Sequence, residues 1–185
     1  LFRSVKLVIK GAENIPGKGS PAVFVLNHRS IFDIVIAYPS MKNVTGYIAK
    51  KELARIPFFS TWMTMACSLF LDRDNLRKGY KTIQKGISYI ESGISMCIFP
   101  EGTRCTSESD TELLPFKEGS FKMAEKTCCP IIPMAMIHTA DIFEKHFPAI
   151  RSTHVILTYG KPIYTKDLDK EQKKHLGAYT QKVIQ

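Results

Sequence analysis

Ala22-Val23-Phe24-Val25-Leu26-Asn27-His28-Arg29-Ser30-Ile31-Phe32-Asp33 sets an unbroken apolar run directly against a histidine and a carboxylate five residues apart. A short apolar run of this kind reads as a strand covered on both faces, as in a parallel sheet flanked by helices. Residues i and i+5 of a helix lie roughly 140° apart, so His28 and Asp33 cannot face each other within one. The histidine must therefore precede the helix. With Ser30 as N-cap, Asp33 falls in the first turn, and the chain ahead of the cap can fold the imidazole back onto the carboxylate to make an oriented base. The same residues are also close to a capping box, Ser30-x-x-Asp33, which would simply start a helix and leave His28 a buried polar ring. On this stretch alone both readings stand, and the context has to separate them.

A chain of 185 residues suits one domain, long enough to bury about 70% of the surface its unfolded form exposes. Cys67, Cys97, Cys105, Cys128 and Cys129 are odd in number with two adjacent, so they give neither a disulfide framework nor a C-x-x-C zinc pattern. A reducing, cytosol-facing location fits them. The net charge of +9, from 26 Lys+Arg against 17 Asp+Glu, favours a phosphate-bearing ligand, anionic lipid or nucleic acid without choosing among them. No uncharged apolar run reaches the roughly 18 residues a spanning helix needs, and no signal peptide is recognisable. Because Leu1 stands first and not Met, the expectation is that an amino-terminal segment, a membrane anchor included, precedes the sequence.

Outward from the opening stretch, strands alternate with helices. Ser4 to Lys10 sets Val5, Leu7 and Ile9 between polar residues, the period-2 mark of a half-buried strand, and Gly11 to Gly19 is a Gly/Pro/Asn loop. That loop is not a phosphate loop. Five residues separate Gly11 from Gly17-Lys18 where a Walker A sequence has four, and Gly19 stands where Ser or Thr would bind magnesium. The helix after the histidine turn runs through Tyr38 and stops at Pro39. Val44 to Ala49 is a second core strand that delivers Lys50, Lys51 and Glu52 at its carboxyl end, where open α/β sheets bind ligands; the bland alternative is a solvated Lys-Lys pair. Ile56 to Leu71 carries sixteen residues without a charge. It reads as a core helix leading into the strand Ser68 to Leu71, with the alternative that its Phe, Met and Trp surface meets a lipid interface or an acyl chain.

Asp72-Arg73 ends that strand, and Asp74 is the expected cap of a helix over Asn75 to Ser92 that buries Leu76, Tyr80, Ile83, Ile87 and Ile90 and closes at Gly93. Ile94 to Phe99 is another strand with Pro100-Glu101-Gly102-Thr103-Arg104 as its turn. Cys105 to Glu112 reads as a mobile polar loop and Pro115 to Lys126 as a helix. Pro130 to Ile137 is a strand whose prolines belong at a strand start or an edge. Thr153 to Tyr159 is a further strand, and Asp167 to Gln185 a charged helix on the surface. No repeat or linker divides the chain.

Successive strand ends thus present His28 with Asp33, Lys50 with Lys51, Asp72 with Arg73, and Glu101 with Arg104. An enzyme site at one edge of a sheet has this form. A carboxylate bonded to Nδ1–H holds the imidazole in one tautomer and frees Nε2 to take a proton from an alcohol. Arg forks and compact Lys charges beyond it suit a phosphomonoester. Other chemistries find less support: Glu118-Gly119-Ser120-Phe121-Lys122 lacks the flanking G-x-S-x-G pattern, no H-E-x-x-H zinc helix occurs, and no cysteine adjoins a histidine. No aromatic-basic nucleic-acid motif is present. A non-catalytic module binding anionic lipid by charge alone would not need His28, Asp33 and Glu101 at strand ends.

NHRSIFD (27–33) resembles the NH-x-S-x-x-D block, an HX4D motif, of the glycerolipid acyltransferases typified by 1-acyl-sn-glycerol-3-phosphate acyltransferase. AKKEL followed by IPFF resembles that family's intervening segment, SLFLDR its second block, FPEGTR its third as it stands, and CPIIPMAM after FKEGSFKMA its fourth. The resemblance implies a single acyltransferase domain over 1–185: an α/β fold, glycerol-3-phosphate acyltransferase-like, with a mostly parallel or mixed central sheet flanked by helices. It implies acyl transfer from an acyl-CoA or acyl carrier protein thioester to the free hydroxyl of 1-acyl-sn-glycerol 3-phosphate (lysophosphatidic acid), giving phosphatidic acid in phospholipid biosynthesis. No cofactor, metal or acyl-enzyme is expected, and glycerol 3-phosphate or another lysophospholipid is the alternative acceptor. Carried over residue by residue, His28 is the base and Asp33 its orienting partner, while Lys50, Lys51, Arg73, Glu101, Gly102, Thr103 and Arg104 shape the phosphate and acceptor site. The partners implied are a lysophospholipid, the thioester donor and a membrane surface, with no nucleic acid, and the location is membrane-associated on the cytoplasmic face. Basic charge and the 56–71 segment favour an anionic bilayer. Three departures stand out. Cys67 replaces a common Gly, Arg29 adds a charge beside the histidine, and the loop after Arg104 is long.

Overall fold

The computed structural model describes residues 5–185; Ser4, where the first expected strand begins, lies outside the described residues. Its strands are β1 (Lys6–Lys10), β2 (Val23–Leu26), β3 (Thr45–Lys50), β4 (Leu69–Leu71), β5 (Ser95–Ile98), β6 (Ile131–Ile137) and β7 (His154–Tyr159). They form one seven-stranded sheet in the order β1-β7-β6-β2-β5-β3-β4. Every neighbouring pair is parallel except β6 with β7, so the sheet is mixed. The helices are α1 (Asp33–Ala37), α2 (Phe59–Met65), α3 (Leu76–Glu91), α4 (Lys122–Thr127), α5 (Lys170–Lys174) and α6 (Leu176–Ile184). Among the described residues no helix is long and apolar enough to cross a membrane.

Two apolar layers explain why the central strands are apolar without alternation. Phe24 and Leu26 of β2 join Tyr47, Cys97, Ile132 and Met134 on one face, under Ile34 and Ala37 of α1 and Met63 of α2. Val23 and Val25 point the other way, to Met96, Ile98 and Ile131 under Ile90 of α3, Met123 and Ala124 of α4 and Leu176 of α6. A strand with helices on both faces has no side to leave polar. Strand β1, by contrast, is largely exposed, because it lies at the sheet's edge with β7 as its single neighbour.

Several expectations need correction. The helix after β4 is capped by Asn75, whose side chain accepts from the Lys78 amide, while Asp74 turns to an ion pair with Lys51. Leu76 is 89% exposed and Tyr80 is also exposed. They continue the apolar stripe of α3, but the adjacent edge strand β4 is only three residues long, so the first turns have little sheet to cover. Pro133 lies inside the sheet and not at its edge, with β2 on one side. It is tolerated because β7 has ended beside it, and the Gly160 amide donates to its carbonyl at 2.8 Å. Within Ile56 to Leu71 the helix leading into β4 is only the short α2, with Met63 and Ala66 buried and Phe58 and Met65 exposed.

Candidate active site

Strands β2, β5, β3 and β4 are adjacent and parallel, so their carboxyl ends open on one edge of the sheet. At that edge lies a cavity of about 880 Å³ lined by His28, Lys50, Lys51, Arg73, Gly102, Thr103 and Arg104, with an apolar wall that includes Ile31, Val35, Leu53, Ile56 and Phe59. This gathers residues up to 76 positions apart in sequence. Asp33 and Glu101 are buried and stay behind the wall.

The chain leaves β2 through Asn27, whose buried amide continues the pairing with β6: its nitrogen donates to the Met136 carbonyl (2.9 Å) and its oxygen accepts from the Met136 amide (2.7 Å). His28 follows outside the helix. Its Nδ1 lies 2.8 Å from Asp33 Oδ2, and the same oxygen accepts from the backbone amides of Arg29 (2.8 Å) and Ser30 (2.9 Å). Half of the capping box is therefore present, the half in which the acidic side chain takes the Ser30 amide. Ser30 is not the N-cap. Phe32 holds that position, and Ser30 Oγ accepts from the Phe32 amide at 3.0 Å while donating to Glu144 at 2.8 Å. The capping and orienting readings of Asp33 converge on one oxygen.

Phe99 lies against the imidazole with ring centroids 4.3 Å apart. Among the described residues Nε2 of His28 has no hydrogen-bond partner, so an oriented ring presents one free nitrogen to the cavity it lines.

Glu101 joins two segments and does not belong to the cavity lining. Its Oε1 accepts from the His28 amide (2.7 Å) and its Oε2 from the Leu114 amide (2.8 Å). Burial pushes its carboxyl upward, with both hydrogen bonds acting the other way. Gly102 has φ of 77°, a conformation that favours glycine, and a side chain there would meet Lys117 Nζ at 2.8 Å and Arg73 Nη1 at 3.2 Å. Arg73 Nη1 donates to the Gly102 carbonyl. Lys117, the second residue of FKEGSFKMA and not among the expected site residues, thus adds a cation beside Arg73.

The two lysines differ. Lys51 Nζ lies 2.8 Å from Asp72 and 2.6 Å from Asp74, and these hydrogen bonds hold its ammonium well above the usual lysine range. The Lys51 hydrogen bond in turn lowers the Asp72 carboxyl. Lys50 has no carboxylate within ion-pair distance among the described residues and is exposed at the cavity, so it carries the uncompensated charge.

Arg29, next to His28, is buried beneath the 105–112 segment. Its guanidinium donates to the carbonyls of Ser107 (2.8 Å), Ser109 and Glu112 (2.9 Å), with Asp110 3.9 Å away. The loop expected to be mobile is strapped to the turn that carries His28. Asp110, His138 and Asp141 offer ligand atoms within 4.8 Å of one another, enough to hold an ion by distance. Lys145 at 2.7 Å from Asp141 and the Arg29 guanidinium already meet their charge, so the group is accounted for as an ion-pair network. Glu144, in the turn after β6, takes Ser30, the Ile31 amide and Arg104 together. Sequence spacing gave no sign of it.

Known proteins share this fold. The sequence profile of the acyltransferase family, described simply as Acyltransferase, matches residues 6–137. The 1-acyl-sn-glycerol-3-phosphate acyltransferase of Saccharomyces cerevisiae is 30% identical over 187 residues, 99% of this chain and 59% of its own length. Its namesake in Escherichia coli is 30% identical over 165 residues, 89% of this chain and 65% of the relative. The chain thus spans less than two thirds of the length of these curated relatives. The crystal structure of the 1-acyl-sn-glycerophosphate (LPA) acyltransferase PlsC from Thermotoga maritima superposes with a TM-score of 0.81 at 27% identity, covering 97% of this chain and 69% of that one. With the HX4D turn, the FPEGTR turn and the sheet that aligns them all present, the chain belongs to the acyltransferase family.

Proposed function

We propose that the protein transfers an acyl chain from a thioester of coenzyme A or acyl carrier protein to the free hydroxyl of 1-acyl-sn-glycerol 3-phosphate, giving phosphatidic acid. The observation that carries this reading is the imidazole of His28, held at 2.8 Å by the buried Asp33 and lining a cavity that also holds Lys50, Arg73 and Arg104. The acceptor oxygen attacks the thioester carbonyl as its proton passes to Nε2 of His28. The tetrahedral adduct then collapses, the C–S bond breaks, and the proton returns from the imidazolium to the departing sulfur. Asp33 steadies the imidazolium in between. A base of this kind contributes about 10²–10⁴-fold, and positioning of two substrates supplies about 7–11 kcal/mol of the barrier.

The cationic end of the cavity suits the phosphomonoester, and the apolar wall suits an acyl chain. That wall runs out onto the surface: Ile31 and Val35 line the cavity yet are about half exposed, and Phe58 beside it is 89% exposed. Trp62 and Met65 share one side of α2 at helical spacing, and Phe58 stands at the helix N-cap. This apolar rim, with exposed Arg55 and Lys50, favours docking on an anionic membrane surface from the cytoplasmic side, where a lipid acceptor would reach the site without leaving the interface.

Thiol release from an acyl-CoA in the presence of 1-acyl-sn-glycerol 3-phosphate, compared between wild type and His28→Ala, tests the reading. Release that depends on the acceptor and is lost in the variant is expected; equal release from both rejects the assignment. Glycerol 3-phosphate and a lysophospholipid with a larger head group, run in parallel, decide the acceptor.

A further inference from the structure

The geometry points to Glu144 as a positioning residue that locks the base-bearing turn to Arg104, a role that rests on the acyl-transfer reading above. Its Oε2 accepts from Ser30 Oγ at 2.8 Å, and its Oε1 accepts from the Ile31 amide at 2.8 Å and from Arg104 Nη1 at 3.2 Å. Ser30 and Ile31 lie two and three residues beyond the base, and Arg104 closes the FPEGTR turn. One carboxylate therefore ties together two turns that β2 and β5 deliver separately. It does so from a 3-10 turn beyond β6, outside the 6–137 stretch that the family profile matches. The segment is seated firmly enough to act as a brace: Phe143 packs edge-on against Phe32 at 6.3 Å, and the Lys145 and Arg151 amides donate back to Ala140 and Ile142.

The consequence for Arg104 follows from its planar fork of five donors. Glu144 engages one, and among the described residues Arg104 makes no other hydrogen bond, so the remaining donors are available at the cavity it lines. A guanidinium already fixed by one edge loses less freedom when it takes a phosphate oxygen. Against this stands repulsion between the carboxylate and an anionic ligand. The two further donors to Glu144, Ser30 Oγ and the Ile31 amide, weaken that repulsion, since the carboxylate charge is already shared among three partners. Orientation wins on this account.

Glu144→Gln separates the two links, because the amide oxygen still accepts from Ile31 and its nitrogen can meet Ser30 Oγ, whereas the negative charge that pairs with Arg104 is lost. In this variant the KM for 1-acyl-sn-glycerol 3-phosphate rises about two- to five-fold with kcat nearly unchanged, the range for a partly exposed ion pair. The KM for acyl-CoA stays at the wild-type value. In an Arg104→Ala background the same change adds nothing, which general destabilisation would not reproduce. Glu144→Ala also lowers kcat and speeds hydrogen exchange of the Ile31 amide. An unchanged or lower KM in Glu144→Gln, or a rise that persists without Arg104, overturns the coupling. Should the wild type fail to acylate the lysolipid, the functional reading falls by itself. The affinity for glycerol 3-phosphate then takes the place of KM: the same rise, absent without Arg104, supports Glu144, and an unchanged affinity overturns it.

Discussion

Asp33→Asn separates the charge of the carboxylate from its shape. In the native structure Oδ2 alone accepts from His28 Nδ1 and from the amides of Arg29 and Ser30, at 2.8, 2.8 and 2.9 Å. Oδ1 is buried without a partner. An asparagine turned with its oxygen in the Oδ2 position keeps all three donors, but its amide nitrogen then lies where Oδ1 was, buried and unpaired, at a cost of about 1–3 kcal/mol in stability. The larger effect falls on the reaction. As His28 takes the proton it becomes an imidazolium beside a neutral amide, in a site where the side chain at position 33 is 1% exposed and water cannot screen the charge. With the contribution of the base as the ceiling, kcat falls by about 10²–10⁴-fold, equivalent to about 2.7–5.5 kcal/mol in activation free energy. The assay is thiol release at saturating acyl-CoA and lysophosphatidate, alongside urea unfolding to establish that the variant is folded at the assay temperature. A folded Asp33→Asn protein with kcat within about threefold of wild type would refute the role of the charge. A change confined to KM would move Asp33 from proton transfer to binding.

Three further outcomes follow from the structure. Lys50→Ala is expected to raise the KM for lysophosphatidate about tenfold, the loss of one charge-assisted hydrogen bond, and Lys51→Ala less, because Lys51 is already compensated by Asp72 and Asp74; steady-state kinetics in the reverse order would contradict this. Cys67 holds φ of 56°, a left-handed conformation in which a side chain is strained, so Cys67→Gly should stabilise by up to about 1 kcal/mol in urea unfolding, and a loss of stability would count against it. Burial pushes the Tyr159 hydroxyl up to about 12, opposed by its hydrogen bond with Ser40. The unfolded chain releases this proton near pH 10 while the native one keeps it, so stability declines as pH rises from about 10 to 12. Tyr159→Phe should make that alkaline decline shallower, with the buried Tyr47, Cys97 and Cys129, also pushed upward, supplying the rest, and denaturant unfolding on both sides of pH 10 would reveal an unaltered slope if Tyr159 contributes nothing.

The apolar runs of β2, β3, β5 and β6 were legible in sequence because strands buried on both faces leave no alternation to misread. His28 outside the helix was legible too, since helical spacing forbids an i to i+5 contact. The FPEGTR and HX4D blocks carried the family. Helix caps were less legible: Asp74 and Asn75 are both good caps, and only the position of Lys51 drew Asp74 away. The departure at Cys67 acquires a physical meaning from its φ, since glycine is the residue for which that backbone conformation carries no penalty.

By itself the sequence determined the alternation of strands and helices and the chemical types at each strand end, because both depend on local spacing and residue chemistry. Which charges are paired, and which side chains meet across distant stretches of chain, was decided by the tertiary structure. Lys51 and Lys50 are neighbours in sequence and differ only in what β4 brings beside them. Glu101 turned out to be a buried tie between the His28 turn and Leu114. Glu144 meets Ser30 across 114 positions of chain. Such contacts leave no periodic trace, since an ion pair or hydrogen bond depends on distances of a few ångströms that only the folded sheet supplies.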